Sequence, residues 1–175
     1  MLLKKLLILD RDGVINQAPK VSERYILNVK DLQLHNNIIE IIVEAQKNQW
    51  FVCSATNQQA LGKGLITLEG LSLIHNHINE TIRLFGGKPI LFFVCSHLQS
   101  DSCECRKPMP GLLLQALEAY CVSIDTDQIV FVGDQETDRF AAKLARIAYL
   151  PFSKNLKYLD IARKLEKFQQ HTFPK

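Results

Sequence analysis

A chain of 175 residues, 47% of them hydrophobic, is long enough to bury one ordinary globular core and reads as a single domain over residues 1–175. The net charge of +3 is a mild excess without a basic stripe, which speaks against nucleic acid and fits a small anionic substrate. Five cysteines in a chain of this length make no disulfide framework, and no apolar run reaches the ~20 residues needed to cross a bilayer.

The opening MLLKKLLILDRDG has an apolar run that stops at Asp10 with no small-residue cleavage site after it. It reads as a buried strand rather than a signal peptide, and the protein is expected to be cytoplasmic. Asn36 or Asn37 is placed to cap the helical stretch IIEIIVEAQKN. WFVCSAT is a second strand ending at Thr56, with Trp50 and Phe51 as packing residues. Thr67 can cap the next helix, in which Leu68, Leu71, Ile74, Ile78, Ile82 and Phe85 recur at helical spacing until Gly86-Gly87 stops it. His75 joins that apolar face as a core or boundary residue, and His35 is expected in a surface turn. ILFFVC is a third strand, ending at Cys95; GLLLQALEAY follows Pro110 as a helix; QIVFVGD is a fourth strand, ending at Asp134. TDRFAAKLA reads as a helix, Ile147 to Leu150 as a fifth strand, and the amphipathic tail from Lys154 to about Gln170 as a final helix. Cys53 and Cys121, in apolar surroundings, read as small core residues.

The strands are near-continuously apolar, as strands covered on both faces are. Their alternation with helices predicts an α/β, Rossmann-like three-layer fold with a central parallel sheet. Ligands in such sheets bind beyond the carboxyl ends of the strands, where Asp10, Thr56 and Asp134 fall.

Asp10 and Asp12 leave the first strand two residues apart, and Gly13 permits a sharp turn. Two such carboxylates repel unless a cation lies between them. Asp134 and Asp138 add acidic groups at another strand end, so an oxygen site for Mg²⁺ is expected from these carboxylates, with capping of the following helix an equal reading for Asp138. Thr56, followed by Asn57 and Gln58, offers a hydroxyl and backbone amide to a phosphoryl oxygen. Lys107 supplies positive charge at the same rim. These are the parts of a phosphoryl-transfer site acting on a small phosphorylated substrate.

Cys95-x-His97 and Cys103-x-Cys105 place four borderline ligands in a short loop. Three thiolates and an imidazole suit a tetrahedral Zn²⁺ with no open position, hence structural rather than catalytic. Chance clustering and a redox switch are the alternatives; no C-x-x-C is present.

D-x-D-G at Asp10–Gly13, T-N-Q at Thr56–Gln58, the lysine of Arg106-Lys107-Pro108 and G-D-x-x-x-D at Gly133–Asp138 resemble, in order and spacing, the four motifs of the haloacid dehalogenase superfamily of phosphatases. The resemblance covers roughly residues 5–150. It implies that Asp10 is the nucleophile, forming an aspartyl-phosphate, and that Asp12 is the general acid and base. It further implies Mg²⁺ held by Asp10, the Asp12 carbonyl and Asp134, with Thr56 and Lys107 holding the phosphoryl group. The cysteine loop followed by CRKPMPG resembles the branch that contains the heptose 1,7-bisphosphate phosphatases and histidinol-phosphate phosphatases. LDRDGVIN, TNQQALGKG and CRKPMPG are nearer the former, and the short loop is nearer the latter. Gln135 stands where the heptose branch often has lysine; His35-Asn36-Asn37 replaces an expected Pro-Gly; and a glycine expected before the last strand is absent. No stretch is long enough for a cap domain, so a capless, monomeric enzyme is expected, with Arg106 reaching a second anionic group or hydroxyls of the substrate; its other reading is a surface partner of Glu104. A different class of function, a catalytically silent zinc-stapled binding module, is the remaining alternative.

Overall fold

The computed structural model describes residues 3–19 and 24–164. Five parallel strands, β1 (Lys5–Leu9), β2 (Phe51–Asn57), β3 (Leu91–Cys95), β4 (Gln128–Gly133) and β5 (Ala148–Pro151), form one sheet in the order β3-β2-β1-β4-β5. The helices are α1 (Asn36–Lys47), α2 (Gln59–Gly62), α3 (Leu68–Leu84), α4 (Gly111–Ala119) and α5 (Glu136–Leu144). Between β1 and β2 only a 3₁₀ turn and α1 are inserted, so among the described residues no cap covers the sheet end.

The two-residue period of β1 splits the core into layers. Leu7 and Leu9 join Val52, Val130 and Val132 under α1 and α3. Leu6 and Ile8 join Cys53, Ala55, Ile129 and Phe131 under α4 and α5. β1 is central, so all its outer positions are covered and Leu6 to Leu9 are fully buried. This is the expected three-layer α/β arrangement.

Local differences from the sequence reading have local causes. α1 starts one residue early: His35 stands at its N-cap without a side-chain bond, and Asn37 instead donates its amide to the carbonyls of Lys154 and Leu156. His35 is half-buried, tilted against Phe152 at 5.0 Å, rather than loose in a turn. Thr67 does cap α3, its hydroxyl accepting from the Gly70 N–H at 3.0 Å. The apolar stripe of α3 is shorter than its sequence, because Leu68 is 68% exposed and Phe85 43%. Leu71, Ile74, Ile78 and Ile82 are buried. Cys121 is exposed just past α4, unlike the buried Cys53. Residues 158–164 are helical, but Lys154 lies in a turn before them; the remainder of the predicted tail helix, to Gln170, falls outside the described residues.

Ile74→Ala is expected to lower unfolding free energy by about 2–5 kcal/mol in urea titrations, whereas Leu68→Ala stays within about 0.5 kcal/mol.

Candidate active site

Parallel strands bring their carboxyl ends to one rim, and the polar residues after β1, β2 and β4 meet there. Asp10 continues the ladder by donating its N–H to the Val132 carbonyl at 2.9 Å. The chain then turns at Gly13, with φ +94°; a Cβ there would lie 2.2 Å from Asp134 Oδ2, so the close approach of the two acidic segments requires glycine. A cavity of about 330 Å³ opens at this rim, lined by Asp10, Asp12, Thr56, Asn57, Gln58, Arg106, Lys107, Asp134 and Asp138. All eight predicted catalytic, substrate-binding and Mg²⁺ residues, with Asp138, therefore line one cavity.

Lys107 is its electrostatic centre. The buried ammonium lies 2.8 Å from Asp10 Oδ1 and 2.7 Å from Asp138 Oδ1. Burial pushes the Asp10 carboxyl up to about 7, with Asp138 and Asp12 adding to the rise and Lys107 opposing it. Burial pulls Lys107 down, but Asp10 and Asp138 outweigh it and hold the ammonium above its ordinary value. Asp134 is raised by burial. Its Oδ1 is buried without a hydrogen-bond partner, while oxygens of Asp10, Asp134 and Asp138 lie within 4.8 Å of one another. An orphaned carboxylate oxygen beside two others fits a hard divalent cation. Asp138 also accepts from the Asp134 and Gln135 N–H groups, so it caps α5 as well as pairing with Lys107. Gln135 donates its amide to Asp134 Oδ2 at 2.8 Å.

Asp12 is tuned the other way. Burial raises it, but the Arg11 guanidinium and donors from Asn16, Arg11 and Gln58 together hold it below the ordinary carboxylate range. Gln58 Nε2 bridges Asp12 Oδ2 at 2.8 Å and Thr56 Oγ1 at 2.9 Å. Asn57 forms a two-bond clamp on the Lys107 backbone: its Nδ2 donates to the Lys107 carbonyl and its Oδ1 accepts from the Lys107 N–H, both at 3.0 Å. Arg106 donates to the His97 carbonyl at 3.4 Å, with no ion pair to Glu104 among the described residues. It lines both this cavity and a neighbouring one of about 290 Å³ along the cysteine loop. The sequence reading passed over Arg11, which is wholly buried. The available signal was parity: Arg11 continues the series Leu7, Leu9 toward the α3 layer.

Cys95 Sγ, His97 Nδ1, Cys103 Sγ and Cys105 Sγ lie within 4.8 Å of one another, with close pairs at 3.2 to 3.7 Å and no disulfide. Tetrahedral coordination at ~2.0–2.3 Å gives ligand–ligand edges of about 3.5–3.8 Å, so the four donors fit one metal ion with small adjustments. The loop has little core of its own and runs directly into Arg106 and Lys107.

A capless parallel sheet carrying a buried aspartate nucleophile candidate, a lysine and an acidic metal site at its carboxyl rim defines a haloacid dehalogenase-type phosphatase. The family model described as "Polynucleotide kinase 3 phosphatase" matches residues 5–165. A D-glycero-beta-D-manno-heptose-1,7-bisphosphate 7-phosphatase from Pseudomonas aeruginosa is 39% identical over 140 residues, covering 80% of this chain and 76% of the relative. The crystal structure of a D,D-heptose 1,7-bisphosphate phosphatase from Bordetella bronchiseptica, complexed with magnesium and phosphate, superposes with a TM-score of 0.74 at 32% identity, covering 84% of this chain and 78% of the other. A histidine biosynthesis bifunctional protein from Legionella pneumophila is 29% identical over 87% of this chain and 42% of its own. The chain belongs to the polynucleotide kinase 3 phosphatase family within the haloacid dehalogenase superfamily of phosphatases.

An Asp10 carboxyl raised from 3.8 to about 7 contributes stability that is complete below about pH 4 and lost as pH rises through about 7. In chelator, Asp10→Asn is therefore expected to be more stable than the wild type at pH 8, the gap closing below pH 4; urea midpoints at both pH values check this.

Proposed function

We propose that the protein hydrolyses a small sugar phosphate through an aspartyl-phosphate at Asp10, and that the substrate is D-glycero-D-manno-heptose 1,7-bisphosphate, cleaved at the 7-phosphate. The observation that carries the reaction class is the Lys107 ammonium, held 2.8 Å from Asp10 at the bottom of a cavity that also presents Asp12 and Thr56. Asp12, ionised in the free site, takes up a proton from solvent as the anionic phosphate binds beside it. Asp10 then attacks phosphorus as the bond to the leaving oxygen breaks, and that oxygen takes the Asp12 proton. Asp12, now ionised, accepts a proton from water; the resulting hydroxide attacks phosphorus, the bond to Asp10 breaks, and phosphate leaves. Thr56 and Lys107 offset the charge on the phosphoryl oxygens. Magnesium, held by Asp10, the Asp12 carbonyl and Asp134, would supply further charge neutralisation when bound. The residues fit it, given the orphaned Asp134 oxygen.

The substrate assignment draws on the heptose relatives and on the rim. Outside the catalytic carboxylates, the described residues of the cavity mouth include Arg24 and Arg106 and no acidic side chain. Cationic groups there favour a second phosphate and disfavour the amine of histidinol phosphate. The short cysteine loop favours histidinol phosphate, which is the second reading. A polynucleotide end would call for a basic track, and the net charge of +3 offers none. Zinc at Cys95, His97, Cys103 and Cys105 is assigned a structural role. A cytoplasmic monomer, one domain over residues 1–175, completes the reading; among the described residues no helix is long and apolar enough to cross a membrane.

Phosphate release should require Mg²⁺ and fall by roughly 10³-fold or more in Asp10→Asn. Catalytic efficiency on heptose 1,7-bisphosphate should exceed that on histidinol phosphate; the reverse order would move the assignment to the second reading. The purified protein should carry one zinc per chain by elemental analysis, and Cys103→Ser should lose it together with thermal stability.

A further inference from the structure

We propose that Arg11 is a positioning residue that fixes the carboxyl plane of Asp12 toward the leaving group, with His75 as its rear support. This rests on reading Asp12 as the general acid. The starting observation is that Arg11 is the largest fully buried side chain among those described. A buried guanidinium is costly unless its donors are paired, and packing alone would favour an apolar residue at this position, as at Leu7 and Leu9. Its donors converge on Asp12. Nε donates to Oδ1 at 3.0 Å, and Nη2 reaches both Oδ1 and Oδ2 at 2.8 Å. A rigid fork that engages both oxygens fixes a carboxyl in plane as well as in place, which a single ammonium does not.

The far side of the guanidinium is held too. Nη1 lies 3.5 Å from His75 Nε2, and the His75 ring stacks on Phe92 with centroids 3.9 Å apart and planes 5° from parallel. Burial, with Arg11 beside it, drives His75 down to about 3, so the ring is neutral and Nε2 can accept. The chain of contacts thus runs from β3 through α3 to the catalytic carboxyl. Asn16 donates to Oδ1 at 3.0 Å and Gln58 to Oδ2 at 2.8 Å. Oδ2 carries fewer donors than Oδ1, and Gln58 ties it to Thr56, the phosphoryl side. Once the carboxyl takes up a proton with the bound substrate, it is the oxygen from which that proton reaches the leaving group.

The consequence is selective. Departure of an alkoxide needs the Asp12 proton; departure of 4-nitrophenolate does not. Loss of the Arg11 fork should therefore hurt alkyl phosphates and spare aryl ones. Because kcat/KM covers only the steps up to leaving-group departure, it isolates this role from the later water attack. In Arg11→Met, kcat/KM for an alkyl phosphate is expected to fall by about 10²-fold, the general-acid range, while that for 4-nitrophenyl phosphate changes only a few-fold. Adding Arg11→Met to Asp12→Asn should cost the alkyl substrate nothing more. His75→Phe, which keeps the stack on Phe92, should show the same pattern at smaller amplitude, and it decides the matter should Arg11→Met fail to unfold cooperatively. Equal losses on both substrate classes, or an alkyl-selective loss that persists in Asp12→Asn, would overturn the proposal and leave Arg11 a fold residue. A wild type that hydrolyses neither class would instead overturn the phosphatase reading beneath it.

Discussion

The buried ammonium of Lys107 is the interaction on which the site depends. Asp10 and Asp138 arrive from β1 and α5, and both are taken out of water by the same fold that covers the sheet. Without a cation between them, two carboxylates this close and this deeply buried would repel each other with no compensation. Lys107 resolves the conflict only in part, because Asp10 still sits at about 7. That residual strain is what a divalent cation and a phosphoryl group would relieve, and it explains why carboxylates that destabilise the fold are arranged so tightly.

Lys107 has no secondary structure to hold it, so its placement is borrowed. The Asn57 amide grips its peptide as a neighbouring strand would, through one donor and one acceptor. On the other side the chain descends from the cysteine cluster, which can be cross-linked by one ion. Gly62 allows α2 to pack on this loop, since a Cβ there would meet the Ser96 carbonyl at 2.2 Å. The loop is thus pinned at both ends, and Arg106 and Lys107 extend from the pinned segment into the cavity. A metal bound at the cysteine cluster would in this way bear on the placement of Arg106 and Lys107.

Much of this was legible because it follows from periodicity. Near-continuous apolar runs marked the strands, and a parallel sheet brings their ends together whatever the loop details. Asp10, Asp12, Thr56 and Asp134 could be grouped on that basis, Lys107 joined them only through the Arg-Lys-Pro motif, and the paired C-x-[HC] spacing foretold the thiol and imidazole cluster. What was not legible depended on distant partners. Asn57 faces a peptide fifty residues later in the chain, an arrangement with no local signature. Arg11, between two acids, has the look of a solvated charge until the parity of β1 is extended past its end. Asn37 resembles a cap, yet the carbonyls it satisfies belong to the segment after β5. The ends of the α3 stripe were overread because periodicity shows which face is apolar, not how far the neighbouring layer reaches.

The central claim is a covalent phosphoryl group on Asp10. Asp12→Asn with 4-nitrophenyl phosphate tests it most directly, since departure of this leaving group needs no acid while hydrolysis of the intermediate lacks its base. An acid-quenched sample should show a stoichiometric burst of nitrophenol and one added phosphoryl mass on the peptide containing Asp10. No burst and no modified peptide at any quench time, with turnover continuing in Asp10→Asn, would contradict the account.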